Sequence, residues 1–174
     1  MGVPVAFVTN NASRSVETVA EHLRELGVKT DADHVVSSAQ AAAELLTTHA
    51  EPGAKVLVCG AQALADCVSA AGFVPVYSQE DEPAAVAQGF NPRLVWEDLA
   101  EAAYTLADEN VVWVASNTDF TIPKERGIAP GNGTLVAAVA TATGRKPLVA
   151  GKPESAIFET GAKQINSCLL YTSD

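Results

Sequence analysis

Short apolar runs alternate with segments of helical period along this chain from its first residues, the pattern of an α/β fold built on buried parallel strands. VPVAFV at 3–8 reads as a strand opening into the polar cluster TNNASRS, with Pro4 among the strand's first residues, where a missing N–H is tolerated. Val16, Val19, Ala20, Leu23 and Leu26 recur at helical spacing, with Ser15 as N-cap and Gly27 as the stop. A brief strand at 35–38 precedes a helix over 39–48. After Glu51-Pro52-Gly53 come VLVCG, a helix over 61–71 and FVPVY, a strand–helix–strand unit that is short for a parallel crossover. An acidic loop at 78–84, a strand AVAQGF, a helix from Trp96 to Leu106 and the strand VVWVAS at 111–116 follow. A polar loop over 117–133 leads to a helix over 134–143 ended by Gly144 and Pro147, a strand LVAGK at 148–152 and a helix over 154–165. The chain is expected to leave one domain near residue 52, build a second and return near 147.

Composition removes several classes. The net charge of −10, with 11 basic residues scattered among 21 acidic ones, excludes a phosphate-backbone partner, so no nucleic acid is expected. No apolar run approaches the ~20 residues of a membrane span, and no basic-then-apolar leader stands at the N-terminus. A cytoplasmic protein without a membrane partner is therefore expected. Cys59, Cys67 and Cys168 form no C-x-x-C pair, and Cys59 reads as a small core residue. His22, His34 and His49 have no metal-like neighbours, so no metal ligand is assigned. A G-x-S-x-G elbow and a G-x-G-x-x-G loop are both absent, and Gly151-Lys152-Pro153 is not a P-loop.

Chemistry is expected at three strand ends, where open α/β sheets place ligands. Thr9-Asn10-Asn11 puts a hydroxyl and amides at the end of a buried strand, able to bond an oxyanion; an ordinary turn cluster is the competing reading. Lys152, between Gly151 and Pro153, is a fixed positive charge suited to a phosphate, or else a solvated surface lysine. The loop 117–133 is long enough to be functional, or else wanders on the surface. Its Pro130-Gly131-Asn132-Gly133 would bring bare backbone to a helix N-terminus as an anion site.

Together these segments resemble a known family. VAFVTNNASRS is similar to motif II of the haloacid-dehalogenase (HAD) phosphatases, particularly the NagD-like or para-nitrophenylphosphatase branch, and LVAGKP to their motif III. SSAQAAAELL and PGNGTLVAAVATATGRKPLVAGKPE resemble the actinobacterial sugar- and polyol-phosphate phosphatases of that branch, and the likeness covers about residues 1–165. The resemblance implies a partial Rossmann-like HAD core (1–51) with an inserted α/β cap of the C2 type (52–146), a return to the core (147–165) and a non-family tail (166–174). It implies a magnesium-dependent phosphomonoester hydrolase working through an aspartyl-phosphate, on a small sugar, glycerol or glycolate phosphate. Thr9, Asn10 and Lys152 would carry catalytic roles on the phosphoryl group. Asn11, Asn117, Asp119, Phe120, Thr121, Ile122, Gly131 and Asn132 would bind substrate.

The family's D-x-D-G motif should precede TNN by some tens of residues, and a G-D-x-x-x-T-D motif should follow GKP. Only eight residues precede Thr9, and the ending NSCLLYTSD matches neither the family nor the helix before it, as a foreign end would. The nucleophile and the carboxylates that hold Mg2+ are thus expected to be missing, leaving a fragment without activity. The expected partners are a small phosphorylated substrate and, through the cap, a second copy of the chain. The rival readings are a non-catalytic anion-binding α/β module and the nucleotide-binding domain of an oxidoreductase, the latter disfavoured by the missing glycine fingerprint.

Overall fold

A computed structural model describes residues 5–166; Pro4, Cys168 and the 167–174 stretch of the expected tail lie outside the described residues. The chain runs β1 (Phe7–Thr9), α1 (Val16–Glu25), β2 (Val35–Ser37), α2 (Ser38–Leu46), β3 (Lys55–Cys59), α3 (Gln62–Ala70), β4 (Val74–Val76) and β5 (Ala85–Gln88). It continues through α4 (Trp96–Thr105), β6 (Val112–Ala115), β7 (Thr121–Lys124), β8 (Gly127–Pro130), α5 (Asn132–Thr143), β9 (Leu148–Val149) and α6 (Ser155–Gln164). Among the described residues no helix is long and apolar enough to cross a membrane.

Five parallel strands form the main sheet in the order β4-β3-β5-β6-β9, and β1 pairs with β2 in a separate parallel ladder. A sheet covered on both faces needs strands that are apolar at every position rather than alternating, which is how VLVC and VWVA read. Val56, Val58, Ala85, Ala87 and Val114 pack with residues of α2 and α3, whereas Leu57, Cys59, Val86, Trp113 and Ala115 pack with residues of α4 and α5. Each fully buried Leu or Val contributes roughly 1.5–3 kcal/mol. Local signals close the ends: the Ser15 hydroxyl accepts from Thr18 N–H, Ser37 and Gln40 form a capping box, and Gly27 takes φ +87°. Arg145 serves the fold too, donating to the carbonyls of Leu106, Asp108 and Val111 and so binding the end of α4 to the entry of β6.

Two elements differ from the sequence reading. The stretch 117–133 contains the antiparallel hairpin β7–β8, turned at Glu125-Arg126 with Gly127 (φ +126°) opening β8, and α5 begins at Asn132, not Thr134. That hairpin is exposed and carries no apolar run, so periodicity could not show it. LVAGK shortens to the two-residue β9, because Gly151 and Pro153 turn the chain away. Glu51-Pro52-Gly53 does form a turn, with Gly53 at φ +79°. One apolar cluster nevertheless runs from Val36, Ala42 and Leu46 to Val56, Leu64 and Val114 and on to Ala150 and Ile157. The last segment returns in two ways: β9 joins the edge of the main sheet at β6, and α6 packs on α2 and β2.

Burial governs both described thiols. It raises the Cys59 pKa from 9.0 to about 12, with the charge of Asp98 adding to the shift. It raises that of Cys67 to about 11, with Asp66 and Glu17 contributing. A raised pKa in the folded state means the stabilisation is complete below about pH 9 and declines as pH climbs toward those values. At pH 8 alkylation of Cys59 is expected to be roughly a thousandfold slower than in the unfolded chain, and of Cys67 roughly a hundredfold, by mass-spectrometric peptide mapping. Equal labelling of native and unfolded protein would contradict this.

Candidate functional site

The carboxyl ends of β1, β6 and β9 converge on Asn10. Its carbonyl accepts from Ser38 Oγ at 2.7 Å and from Asn117 Nδ2 at 2.8 Å. Its side-chain Oδ1 accepts from Lys152 N–H at 2.8 Å, while Nδ2 donates to Asp119 Oδ2 at 3.1 Å and to the Lys152 carbonyl at 3.3 Å. One asparagine thus joins the turn after β1, the loop after β6 and the turn after β9. The turn itself is shaped locally: Thr9 Oγ1 accepts from Asn11 N–H, and Asn11 Oδ1 accepts from Ser13 N–H and Oγ. That contact uses the Thr9 oxygen as acceptor and leaves its hydrogen to donate. Lys152 Nζ donates to the Val8 carbonyl at 3.3 Å. Gly151 is required by closeness, since a Cβ there would stand 2.5 Å from the Ser116 carbonyl oxygen and 2.7 Å from Asn10 Oδ1.

The loop after β6 is held from behind. Buried Asn132 donates through Nδ2 to the Asn117 carbonyl at 2.7 Å, and Asn117 Oδ1 accepts from Asp119 N–H. Gly131 N–H donates to the Phe120 carbonyl, and Gly133 N–H to the Asp119 carbonyl. A Cβ on either glycine would lie 2.2 Å from the carbonyl oxygen of Asp119 or Thr118 respectively. In front of this framework opens a cavity of about 890 Å³ that includes Asn10, Asn11, Asn117, Asp119, Thr121, Ile122 and Asn132 in its walls.

Residues 1–74 match the family described as haloacid dehalogenase-like hydrolase. The D-glycerol 3-phosphate phosphatase of Mycobacterium tuberculosis is 54% identical over 152 residues, covering 87% of this chain and 43% of that protein. The acid sugar phosphatase of Staphylococcus saprophyticus is 36% identical over 157 residues, 90% of this chain and 59% of that one. The crystal structure of the M. tuberculosis glycerol phosphate phosphatase with magnesium superposes at a TM-score of 0.89 and 50% identity, over 92% of this chain and 49% of that one. The chain belongs to the haloacid dehalogenase-like hydrolases. The p-nitrophenyl phosphatase of Archaeoglobus fulgidus, at 29% identity and a TM-score of 0.83 over 94% of this chain and 61% of its own, extends the likeness to the branch suggested by TNN and GKP. The chain spans about half the length of the curated relatives it matches.

Within this HAD frame the expected residues divide. Asn10, Asn11, Asn117, Asp119, Thr121, Ile122 and Asn132 come together around the cavity; Thr9 and Lys152 adjoin it through the Asn10 turn without lining it. Phe120 does not line it either, and its side chain stands 63% exposed. The anion site expected at Gly131–Gly133 is corrected: both glycine N–H groups are spent on carbonyls, and the missing Cβ atoms make room for the 118–119 backbone. Magnesium and calcium occur in the relative's structures. Among the described residues no three His, Cys, Asp or Glu side chains are grouped to hold a metal ion, and Asp119 is bonded to Asn10. The described residues do not fit a metal centre. Sequence reasoning missed Ser38, which holds the Asn10 carbonyl, and the wall built by Gly60, Gln62, Asn91 and Arg93. The available signal was a glycine directly after a buried apolar strand, here Gly60 after β3 and Gly89 after β5.

Proposed function

We propose that the Thr9–Asn11 turn, the Gly151–Lys152 turn and the Asn117–Asp119 loop bind the phosphoryl group of a small sugar, glycerol or glycolate phosphate. The enzyme they serve would hydrolyse phosphomonoesters through an aspartyl-phosphate. The observation that carries this reading is the set of hydrogen bonds by which Asn10 joins Lys152 to Asp119. In that reaction a carboxylate attacks phosphorus in line, the bond to the substrate's alcohol oxygen breaks, and the alcohol leaves with a proton. Water then attacks the acyl phosphate, releasing phosphate and restoring the carboxylate. This chain's own share is electrostatic and positional. The Lys152 ammonium and the Thr9 hydroxyl hydrogen offset charge on the phosphoryl oxygens, Asn10 fixes the turn that presents them, and Thr121 and Ile122 face the leaving alcohol. Division into a core, a cap over 52–146 and a return from 147, a second copy docking through the cap and a cytoplasmic location belong to the same reading.

At the site the described residues supply binding groups and no carboxylate besides Asp119, which Asn10 holds, so the 174-residue protein is expected to bind and not to turn over. Glycerol 3-phosphate should raise its Tm by mass action on the native state. Hydrolysis of para-nitrophenyl phosphate with magnesium should stay at the level of a Lys152→Ala control. Turnover above that control, or no shift in Tm with any small phosphomonoester, would contradict the proposal.

A further inference from the structure

The cavity extends past Asn10 and Asn117 to Gly60, Ala61 and Gln62 after β3 and to Phe90, Asn91, Pro92 and Arg93 after β5. Chain order reverses between these two strands, because β3 leads to its neighbour β4 on one side while β5 leads to β6 on the other. Such a switch point opens a crevice at the carboxyl ends of the strands. The two loops are drawn together across it: Asn91 Nδ2 donates to the Gly60 carbonyl at 3.1 Å, and a Cβ on Gly60 would lie 3.3 Å from the Gly89 oxygen.

The charge of this cavity opposes that of the chain. In a protein of net charge −10, Arg14, Arg93 and Lys124 line it, and Asp119 is the only acidic residue among the described residues of its wall. Among the described residues neither Arg14 nor Arg93 pairs with a carboxylate, whereas Asp119 is already engaged by Asn10. Lys124 lies over another wall residue, its Nζ 5.9 Å from the centre of the Phe90 ring. Exposed cations without partners in a cleft raise the local concentration of anions.

We propose that Arg14, Arg93 and Lys124 form a subsite for a second anion on the substrate's alcohol part, a carboxylate or a second phosphoryl group. The chain then selects phosphorylated hydroxy acids or bisphosphates over phosphates of neutral polyols. The subsite rests on the phosphoryl assignment to the Asn10 turn, because it specifies the other end of the same substrate.

Titration calorimetry at low ionic strength on the 174-residue protein tests it with matched probes. Glycerol 3-phosphate and 3-phosphoglycerate differ by one carboxylate, propane-1,3-diol bisphosphate carries a second phosphoryl group, and inorganic phosphate reports the shared site. At least one of the two probes with a second anionic group is expected to bind roughly tenfold more tightly than glycerol 3-phosphate, although the protein's net charge alone would disfavour it. Which probe does so names the anion. An R14Q/R93Q variant should bring the ratio to within about twofold, R93E should reverse it, and K146Q, outside the cavity, should preserve it. If all the phosphates bind and glycerol 3-phosphate matches both probes that carry a second anionic group, the subsite is wrong while the phosphoryl assignment survives. If neither inorganic phosphate nor any ester binds, the phosphoryl assignment fails and the subsite with it.

Discussion

Alanine at Gly133 is expected to lower the Tm by roughly 6–12 °C, the consequence of about 3 kcal/mol of overpacking in a chain of this size. The added methyl would stand 2.2 Å from the Thr118 carbonyl oxygen, a backbone atom that no side-chain rotation can move aside. Relief requires the 118–119 backbone to withdraw from the start of α5, breaking the bond from Gly133 N–H to the Asp119 carbonyl and straining that from Asn132 to Asn117. Gly161→Ala is the contrasting change. Its Cβ would meet Val36 Cγ2 at 3.5 Å, an ordinary contact inside α6, so a gain of roughly 0.4–1 kcal/mol is expected. Circular-dichroism melts of both variants decide the matter. Similar Tm changes for the two would mean that the 118–119 backbone yields easily and the glycines are not needed for closeness.

Lys152→Ala is expected to lower kcat roughly 10²–10³-fold for every phosphomonoester alike, the scale for removing one preorganised charge-stabilising group. The suitable enzyme is a chimaera in which residues 5–166 replace the matching segment of the M. tuberculosis D-glycerol 3-phosphate phosphatase. Lysine acts on the phosphoryl group common to all substrates, so the ranking of substrates should not move. Substitutions at Thr121 or Ile122, which line the cavity, should instead reorder substrates within a ceiling of roughly 10–200-fold. Phe120→Ala should leave the ranking as it is, because that side chain lies outside the cavity wall. The readout is kcat/KM over sugar, glycerol and glycolate phosphates. Reordering by Lys152→Ala with uniform scaling by Ile122→Ala would invert the assigned roles.

The legible part of the fold is the part that periodicity governs. Buried parallel strands such as β3 and β6 are continuous apolar runs, and α1 shows its cap at Ser15 and its stop at Gly27, so each was readable within a residue or two. The hairpin β7–β8 was not readable, because an exposed two-stranded ribbon buries no face and leaves no alternation in TIPK or GIAP. At the site, the strand-end positions of Asn10 and Lys152 followed from sequence, and their direct contact did not, since 142 residues separate them. The glycines of PGNG show how one pattern serves two physical ends. Both an anion cradle and a close backbone packing demand a missing Cβ, and only the 2.2 Å approach to the Thr118 and Asp119 oxygens distinguishes them. Arg93 was legible only as a loop residue, because its place in the cavity depends on β5 lying beside β3.

Amide chemical shifts of the 174-residue protein during titration with inorganic phosphate test the phosphoryl assignment most directly. Saturable shifts are expected at Thr9, Asn10, Asn11, Gly151 and Lys152, with weaker ones at Asn117 and Asp119, and Lys152→Ala should weaken the binding while leaving the rest of the spectrum in place. A second cavity, lined by Arg24, Lys29 and His34, offers an independent set of cations. Shifts confined to that cavity, or unchanged phosphate affinity in Lys152→Ala, would contradict the placement of the phosphoryl group at the Asn10 turn.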